Sequence, residues 1–304
     1  MQSEGRALKT IEVVLVDAFT ATPFSGNPAA VVPDASGLDE ATMRAVAAEL
    51  ARPATAFLQP AAPGGERRLR WFSPAGIELT LCGHGTVAAA HVLAARGQAE
   101  GEPLVFQAPR HRLAITLEGS GAAATAWFEP DCPRWTPEAE DLSPFLLALG
   151  LTTRVVADWA PPARTSEHDL LIPVADLETL RTLTPDLGGL GRLAKDRGVR
   201  GVVVTTRETR EPRALTHSRN FIPHLGIPED PATGSSHAAI GVWLWETGVL
   251  ASDYGMARFR AEQGDFCGRP GRLAVEVHGT PGRATRARVG GQAVIMLSGV
   301  LALS

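Results

Sequence analysis

The chain has 304 residues, 44% hydrophobic and 20% charged, with a formal net charge of −4. That size suits one large or two medium domains, and no run of Lys or Arg with interleaved aromatics points to nucleic acid. No apolar run is long enough to span a bilayer and the first ten residues lack the apolar core of a signal peptide, so a cytoplasmic protein with a small-molecule partner is expected.

Residues 11–19, IEVVLVDAF, alternate apolar and polar with β-branched side chains and predict a strand. A turn-rich loop, TATPFSGNP, leads into a second extended stretch, AAVVP. Leu38 to Leu50 has helical spacing, with Asp39 and Glu40 in the first turn, where the helix dipole favours acids. Thr55–Gln59 and Arg68–Phe72 predict a hairpin across the turn APGGE. Next comes Cys82-Gly83-His84-Gly85, opening a helix of Ala, Val and Leu that is apolar on nearly every face and therefore buried. Strands follow near 104–106, 113–117 and 124–128, and the pattern breaks at Asp131-Cys-Pro-Arg-Trp-Thr-Pro.

Beyond that break, short helices are predicted at 144–149, 175–183 and 187–197, with strands at 170–174 and 199–205. Pro228-Glu229-Asp230-Pro231-Ala232-Thr233-Gly234-Ser235 then opens a second apolar helix. Strands are predicted over 258–263, 272–277, 284–289 and 292–301. Cys82, Cys132 and Cys267 are an odd number at wide spacing, so free thiols are expected. His91, His111, His168, His217, His224, His237 and His278 show no metal-ligand spacing and are read as surface or packing residues, with His237 close to Ser235 and Asp230 in sequence. Trp243 and Trp245 are read as core or dimer-interface residues.

The two halves share a plan: strands, a loop with a candidate acid/base residue (Cys82; Asp230), a Gly with a polar neighbour (Gly83-His84; Gly234-Ser235), and a buried helix. Facing halves would bring two helix N-termini to one cleft, where backbone N–H groups hold a carboxylate between titratable side chains. This geometry suits proton transfer. No phosphate loop, nucleophile elbow or metal cluster competes with it.

VDAFTATPFSGNPAAVV, WFSPAGIELTLCGHGT, EDPATGSSHAA, AEQGDFCGRPGRLAVEV and VGGQAVIMLSGVL together resemble the PhzF-like phenazine-biosynthesis family of the diaminopimelate-epimerase fold. The resemblance spans nearly the full chain. It implies an α+β protein of two pseudo-symmetric domains, each a mostly antiparallel sheet wrapped around a central helix. The expected domains are 1–128, joined by a last strand near 292–304, and 129–291. It further implies an active site in the cleft, no cofactor or metal, a homodimer, and isomerisation by removal and return of a proton. Carried over by motif position, His84, Asp230 and Ser235 fall on active-site residues, with Gly83 and Gly234 binding the substrate carboxylate through their amides. Gly85, Thr233 and Asn27 are further candidates at the same loops.

One departure stands out. Ala54 occupies the position of the family's principal catalytic Glu, and Glu49 lies on another face of the preceding helix. Cys82 is then expected to act as a thiolate base, its pKa lowered by the helix N-terminus and His84, with Asp230 returning the proton. A Cys/Asp pair suits double-bond migration on a small, unsaturated carboxylate or amino acid of secondary metabolism better than racemisation. A cyclase- or lyase-type reaction and a catalytically silent acid-binding relative remain as alternatives.

Overall fold

In the computed structural model, residues 9–61, 66–99, 103–109 and 112–303 are described. The expected turn at 62–65 and His111 lie outside them. The chain begins with β1 (Lys9–Ala18), β2 (Asn27–Val32), α1 (Glu40–Leu50), β3 (Ala54–Ala61), β4 (Arg67–Phe72), β5 (Glu78–Leu79), α2 (Gly83–Ala95), β6 (Leu104–Gln107), β7 (Arg112–Glu118) and β8 (Thr125–Phe128). There follow β9 (Trp135–Pro137), α3 (Ser143–Ala148), β10 (Ala163–Thr165), β11 (Leu170–Pro173), α4 (Leu177–Arg181), α5 (Leu187–Asp196), β12 (Val202–Thr206) and β13 (Ala214–Ile222). The remainder comprises β14 (Ile227–Asp230), α6 (Gly234–Glu246), β15 (Met256–Gln263), β16 (Gly271–Thr280), β17 (Arg283–Gly291) and β18 (Ala293–Leu303).

Strand pairing shows a duplication. One half runs β18-β1-β2-β3-β4-β6-β7-β8, parallel only at β2/β3 and β4/β6. The other runs β9-β10-β11-β12-β13-β15-β16-β17, parallel only at the corresponding steps β11/β12 and β13/β15. Short β5 and β14 add to β4 and β13 at equivalent places, just before α2 and α6. An antiparallel contact of β17 with β8 joins the halves. At the edge of the first half, β18 pairs with β1 although the two lie at opposite ends of the chain. The expected α+β architecture of two sheets about two central helices is what the fold contains.

Hydrophobicity accounts for the helix positions. Nearly every residue of α2 and α6 is buried, and both belong to one continuous core that includes Trp71, Phe106, Phe128 and Trp243. A helix without a polar face has no stable place on a surface. In β3 the side chains alternate: Ala54, Ala56 and Leu58 face the α2 core, whereas Phe57 joins Met43 and Val46 of α1 on the other side. Helix α1 begins at Glu40 rather than Leu38 because Asp39 is its N-cap, accepting from Thr42 N at 2.8 Å.

Strands β5, β9, β10, β13 and β14 were not anticipated. The nine residues of β13, ALTHSRNFI, contain too many polar side chains to look like a central strand, yet seven of them are buried. Trp243 and Trp245 are core residues whose indole N–H groups donate to Pro161 O and Thr280 O.

The seam between the halves is held by charge as well as by strand pairing. Glu276 of β16 accepts hydrogen bonds from Arg258 and Arg288, and the two guanidinium groups lie 4.7 and 4.4 Å from the Trp127 ring of β8. Glu118 of β7 pairs with the same arginines.

Helices α2 and α6 meet at their N-termini. A Cβ built at Gly83 would lie 2.7 Å from Phe128 Cζ and 3.4 Å from Gly234 Cα. One built at Gly234 would lie 2.8 Å from the same Phe128 atom. Gly234→Ala must therefore displace the ring or the helix, and a loss of about 1–3 kcal/mol is expected. Thermal unfolding would read this as a lowered Tm, and an unchanged Tm would contradict the contact.

Candidate active site

Asp230 ends β14 directly before the α6 turn and is 5% exposed. Oδ1 accepts from Asn27 Nδ2 at 2.7 Å, and Oδ2 accepts from Thr233 Oγ1 at 2.5 Å. Asn27 Nδ2 also donates to Ala232 O at 2.9 Å, so a residue 203 positions earlier ties the two halves at this carboxylate. Burial pushes the Asp230 carboxyl up to about 6, against the hydrogen bonds from Thr233 and Asn27 and the positive charge of Arg200. The neighbouring Glu229 is engaged otherwise, accepting from Arg219 Nε and Nη2 at 2.9 and 2.8 Å. Asp230 is poised to titrate near neutrality.

The turn is fixed by residues that local sequence reading passed over. Gln263 Nε2 donates to Asp230 O and to Thr233 Oγ1, and its Oε1 accepts from Thr233 N at 3.1 Å. Asn220 of β13 donates to Thr233 Oγ1 at 3.0 Å. Thr233 is the N-cap of α6, and Cys82 is the N-cap of α2, both in extended conformation with ψ of 93° and 99°. The Gly85 amide, third in α2, donates to the Cys82 thiol, whereas the Gly83, Gly234 and Ser235 amides have no acceptor from the cap side chains, as a site for an external anion requires.

On the α2 side the surroundings of Cys82 disfavour a thiolate. Cys82 is buried, and desolvation pushes its thiol up to about 12, outweighing a backbone hydrogen bond from Gly85; Asp230 pushes in the same direction. Its Sγ lies 3.6 Å from His84 Nδ1, but burial lowers His84 to about 4, leaving a neutral imidazole unable to stabilise a thiolate electrostatically. Cys82 is therefore a thiol at neutral pH. Gly85 is required beside it, because a Cβ there would meet Trp71 Cδ1 at 2.8 Å and Cys82 Sγ at 3.1 Å. Ala54 is fully buried in the core that contains Cys82 and Trp71, while Glu49 is exposed on α1.

A second polar cluster adjoins Ser235. Arg200 donates from Nε and Nη2 to the buried Asp169 at 2.8 and 2.6 Å, and from Nη1 and Nη2 to Ser235 Oγ at 3.2 Å. Ser236 Oγ donates to Asp169 at 2.6 Å. No sequence signal marked Arg200 or Asp169; Gln263 lies in the quoted segment AEQGDFCGRPG but had no assigned role.

His237 is fully buried, with Nδ1 3.0 Å from Thr233 O, and burial lowers it to about 4. His217 is also fully buried, 2.7 Å from Glu262. The three cysteines are free thiols. Among the described residues no group of three or more His, Cys, Asp and Glu side chains could hold a metal ion. None of their helices is long and apolar enough to cross a membrane. An open cavity of about 540 Å³ lies elsewhere, lined by residues such as Thr22, Arg260, Arg272 and Gln292. It contains none of the Asp230 centre, and chemistry rather than size selects the candidate site.

Comparisons with known proteins bear on the family and the fold. The phenazine biosynthesis-like protein family, PhzC-PhzF, matches residues 16–299. The chain is 34% identical over 292 residues to the uncharacterized isomerase YddE of Escherichia coli K12, covering 94% of this chain and 96% of that one. An uncharacterized isomerase of Pseudomonas aeruginosa is 35% identical over 293 residues, covering 96% of this chain and 99% of its own. The crystal structure of a PhzF-family protein from Bacillus anthracis superposes with a TM-score of 0.86 at 25% identity, over 97% of this chain and 99% of that one. A hydroxyproline epimerase from Agrobacterium vitis shares the fold, with a TM-score of 0.62 at 11% identity, over 98% of this chain and 93% of that one. The chain belongs to the phenazine biosynthesis-like protein family and is an isomerase.

Proposed function

We propose that this isomerase moves a proton, and with it a double bond, on a small unsaturated carboxylate held between α2 and α6, without a cofactor. The observation that carries the reading is Asp230: a buried carboxyl with a pKa near 6, fixed from both halves beside two helix N-termini whose leading glycine amides have no acceptor from the cap side chains. In the resting enzyme above pH 6 the carboxylate takes a proton from an sp³ carbon. The C–H electron pair forms the new double bond, the former π pair becomes the bond to hydrogen, and Asp230 returns the proton at the far end of the allyl system. Atoms and charge balance with one shuttling group. The amides of Gly83 and Gly234 and the Ser235 hydroxyl hold the substrate carboxylate and stabilise negative charge on it. His84 and Cys82 line the opposite side as neutral groups.

Racemisation is less well served, because it needs matched bases on both faces. A thiol near 12 and an imidazole near 4 do not match a carboxyl near 6. The test is solvent-deuterium incorporation into a panel of small unsaturated carboxylates in D₂O, followed by NMR. Deuterium from D₂O at the carbon that gains hydrogen, or internal transfer there of the label from a substrate deuterated at the carbon that loses hydrogen, supports the reading, and a product that carries neither refutes proton transfer through Asp230.

A homodimer is proposed as the working form, supported by β18. Its eleven residues, AVIMLSGVLAL, have no charge and, among the described residues, pair on one side only, with β1. Ile295, Leu297 and Val300 are 41%, 52% and 72% exposed. A long uncharged edge strand is a template for a second chain, and this one has no lysine, proline or charged residue to block pairing. Light scattering on the wild type should give twice the chain mass and on Leu297→Lys the mass of one chain; a monomeric wild type would refute the proposal.

A further inference from the structure

The Ser235 hydroxyl has an asymmetric environment. Both terminal nitrogens of Arg200 donate to its oxygen at 3.2 Å, and among the described residues no group accepts its own proton. Ser235 is nonetheless buried, in the first turn of α6 next to Gly234. A guanidinium has only donors, so it can engage the oxygen in one sense alone, leaving the O–H to donate elsewhere. Arg200 cannot readily turn away. Its Nε and Nη2 make a two-pronged pair with Asp169, which is completely buried and whose Oδ2 also accepts from Ser236 Oγ. Asp169 thus fixes Arg200, and Arg200 fixes Ser235. The Arg200 side chain is 26% exposed, so the cluster borders open space rather than closed core.

We propose that Arg200 is a positioning residue that holds the Ser235 hydroxyl as a committed donor toward the substrate carboxylate. The inference rests on the carboxylate site proposed above. It makes the α6 side the tighter of the two grips: α2 has no equivalent, since His84 follows Gly83 where Ser235 follows Gly234, and His84 is a neutral imidazole. A positive charge beside a helix N-terminus is unfavourable by itself, and Asp169 compensates for it while the anion is absent.

Benzoate, a planar carboxylate with no reactive C–H, serves as the probe, with binding read from the amide NMR shifts of Gly83, Gly234 and Ser235. Arg200→Gln alone leaves Asp169 buried without its cation and is prone to unfold. The paired variant D169N/R200Q removes both charges and keeps both shapes. D169N/R200Q and S235A should each weaken benzoate binding about tenfold, the value of one hydrogen bond to a charged group. The triple variant D169N/R200Q/S235A should bind as S235A does, because Arg200 acts only through that hydroxyl. Benzoate affinity unchanged in D169N/R200Q overturns the inference. So does a hundredfold, additive loss in the triple variant, which would show Arg200 acting independently of Ser235. Wild type that shows no shift at Gly83 or Gly234 refutes the carboxylate site itself, and this inference with it.

Discussion

Asp230→Asn is expected to lower the rate of proton exchange with solvent by about 10²–10⁴-fold, the usual contribution of a positioned acid/base. Asparagine preserves the shape and can accept from Asn27 or from Thr233 through its single oxygen, but not from both, and it cannot carry the proton. The wild-type pH profile should report the same group. With a carboxyl near 6, kcat/KM falls as pH drops below about 6, because the base is then protonated before substrate arrives. His84, near 4, stays neutral through this range and Cys82, near 12, stays protonated, so neither adds a limb between pH 5 and 9. Stability should move in the opposite direction from activity. The folded pKa of Asp230 is raised above its ordinary 3.8, so its favourable contribution is complete below 3.8 and lost as pH rises through about 6. At pH 8 the wild type carries a buried, destabilising charge that Asp230→Asn removes. A higher Tm with lost exchange would separate chemistry from folding. Exchange retained within threefold in Asp230→Asn would sink the assignment.

Glu276→Gln is expected to destabilise the protein by about 3 kcal/mol at pH 7. Burial alone would raise the Glu276 pKa, but hydrogen bonds from Arg288, His278 and Arg258 outweigh it and hold the carboxyl at about 2, against an ordinary 4.5. A depressed carboxylate contributes stability that is present above 4.5 and lost as pH falls toward 2. The gap between wild type and Glu276→Gln in urea midpoint should therefore be full at pH 7 and shrink progressively below pH 4.5. A constant gap across that range would assign the effect to packing instead. The prediction matters for function because the cluster clamps β15, β16 and β17 to Trp127 of β8 and Glu118 of β7, the join on which both helix N-termini depend.

Much of the fold was legible because its central elements carry strong local signals. A segment such as GHGTVAAAHVLAA or GSSHAAIGVWLWE has no polar face, so burial is its only stable fate, and a glycine-led start dictates a close approach. Strand β13 was illegible for the opposite reason. His217, Arg219 and Asn220 point into the protein to serve Glu262, Glu229 and Thr233, and a strand that supplies buried polar networks loses the apolar signature of a strand. Gln263, Asn220, Asp169 and Arg200 were missed likewise, since each gains its role from a partner 13 to 67 positions away.

The sequence by itself determined the duplicated plan, the two buried helices and the loops that open them, because hydrophobic periodicity and glycine placement act over a few residues. The tertiary structure decided which groups can ionise. Cys82 and Asp230 occupy equivalent loops, and burial raises both, to about 12 and about 6. Only the second value falls near neutrality, since Asn27, Thr233 and Arg200 offset part of the desolvation of Asp230, while Cys82 has a single backbone hydrogen bond and a neutral histidine beside it. Desolvation and charge at a buried atom are sums over the whole fold, and no local spacing encodes them.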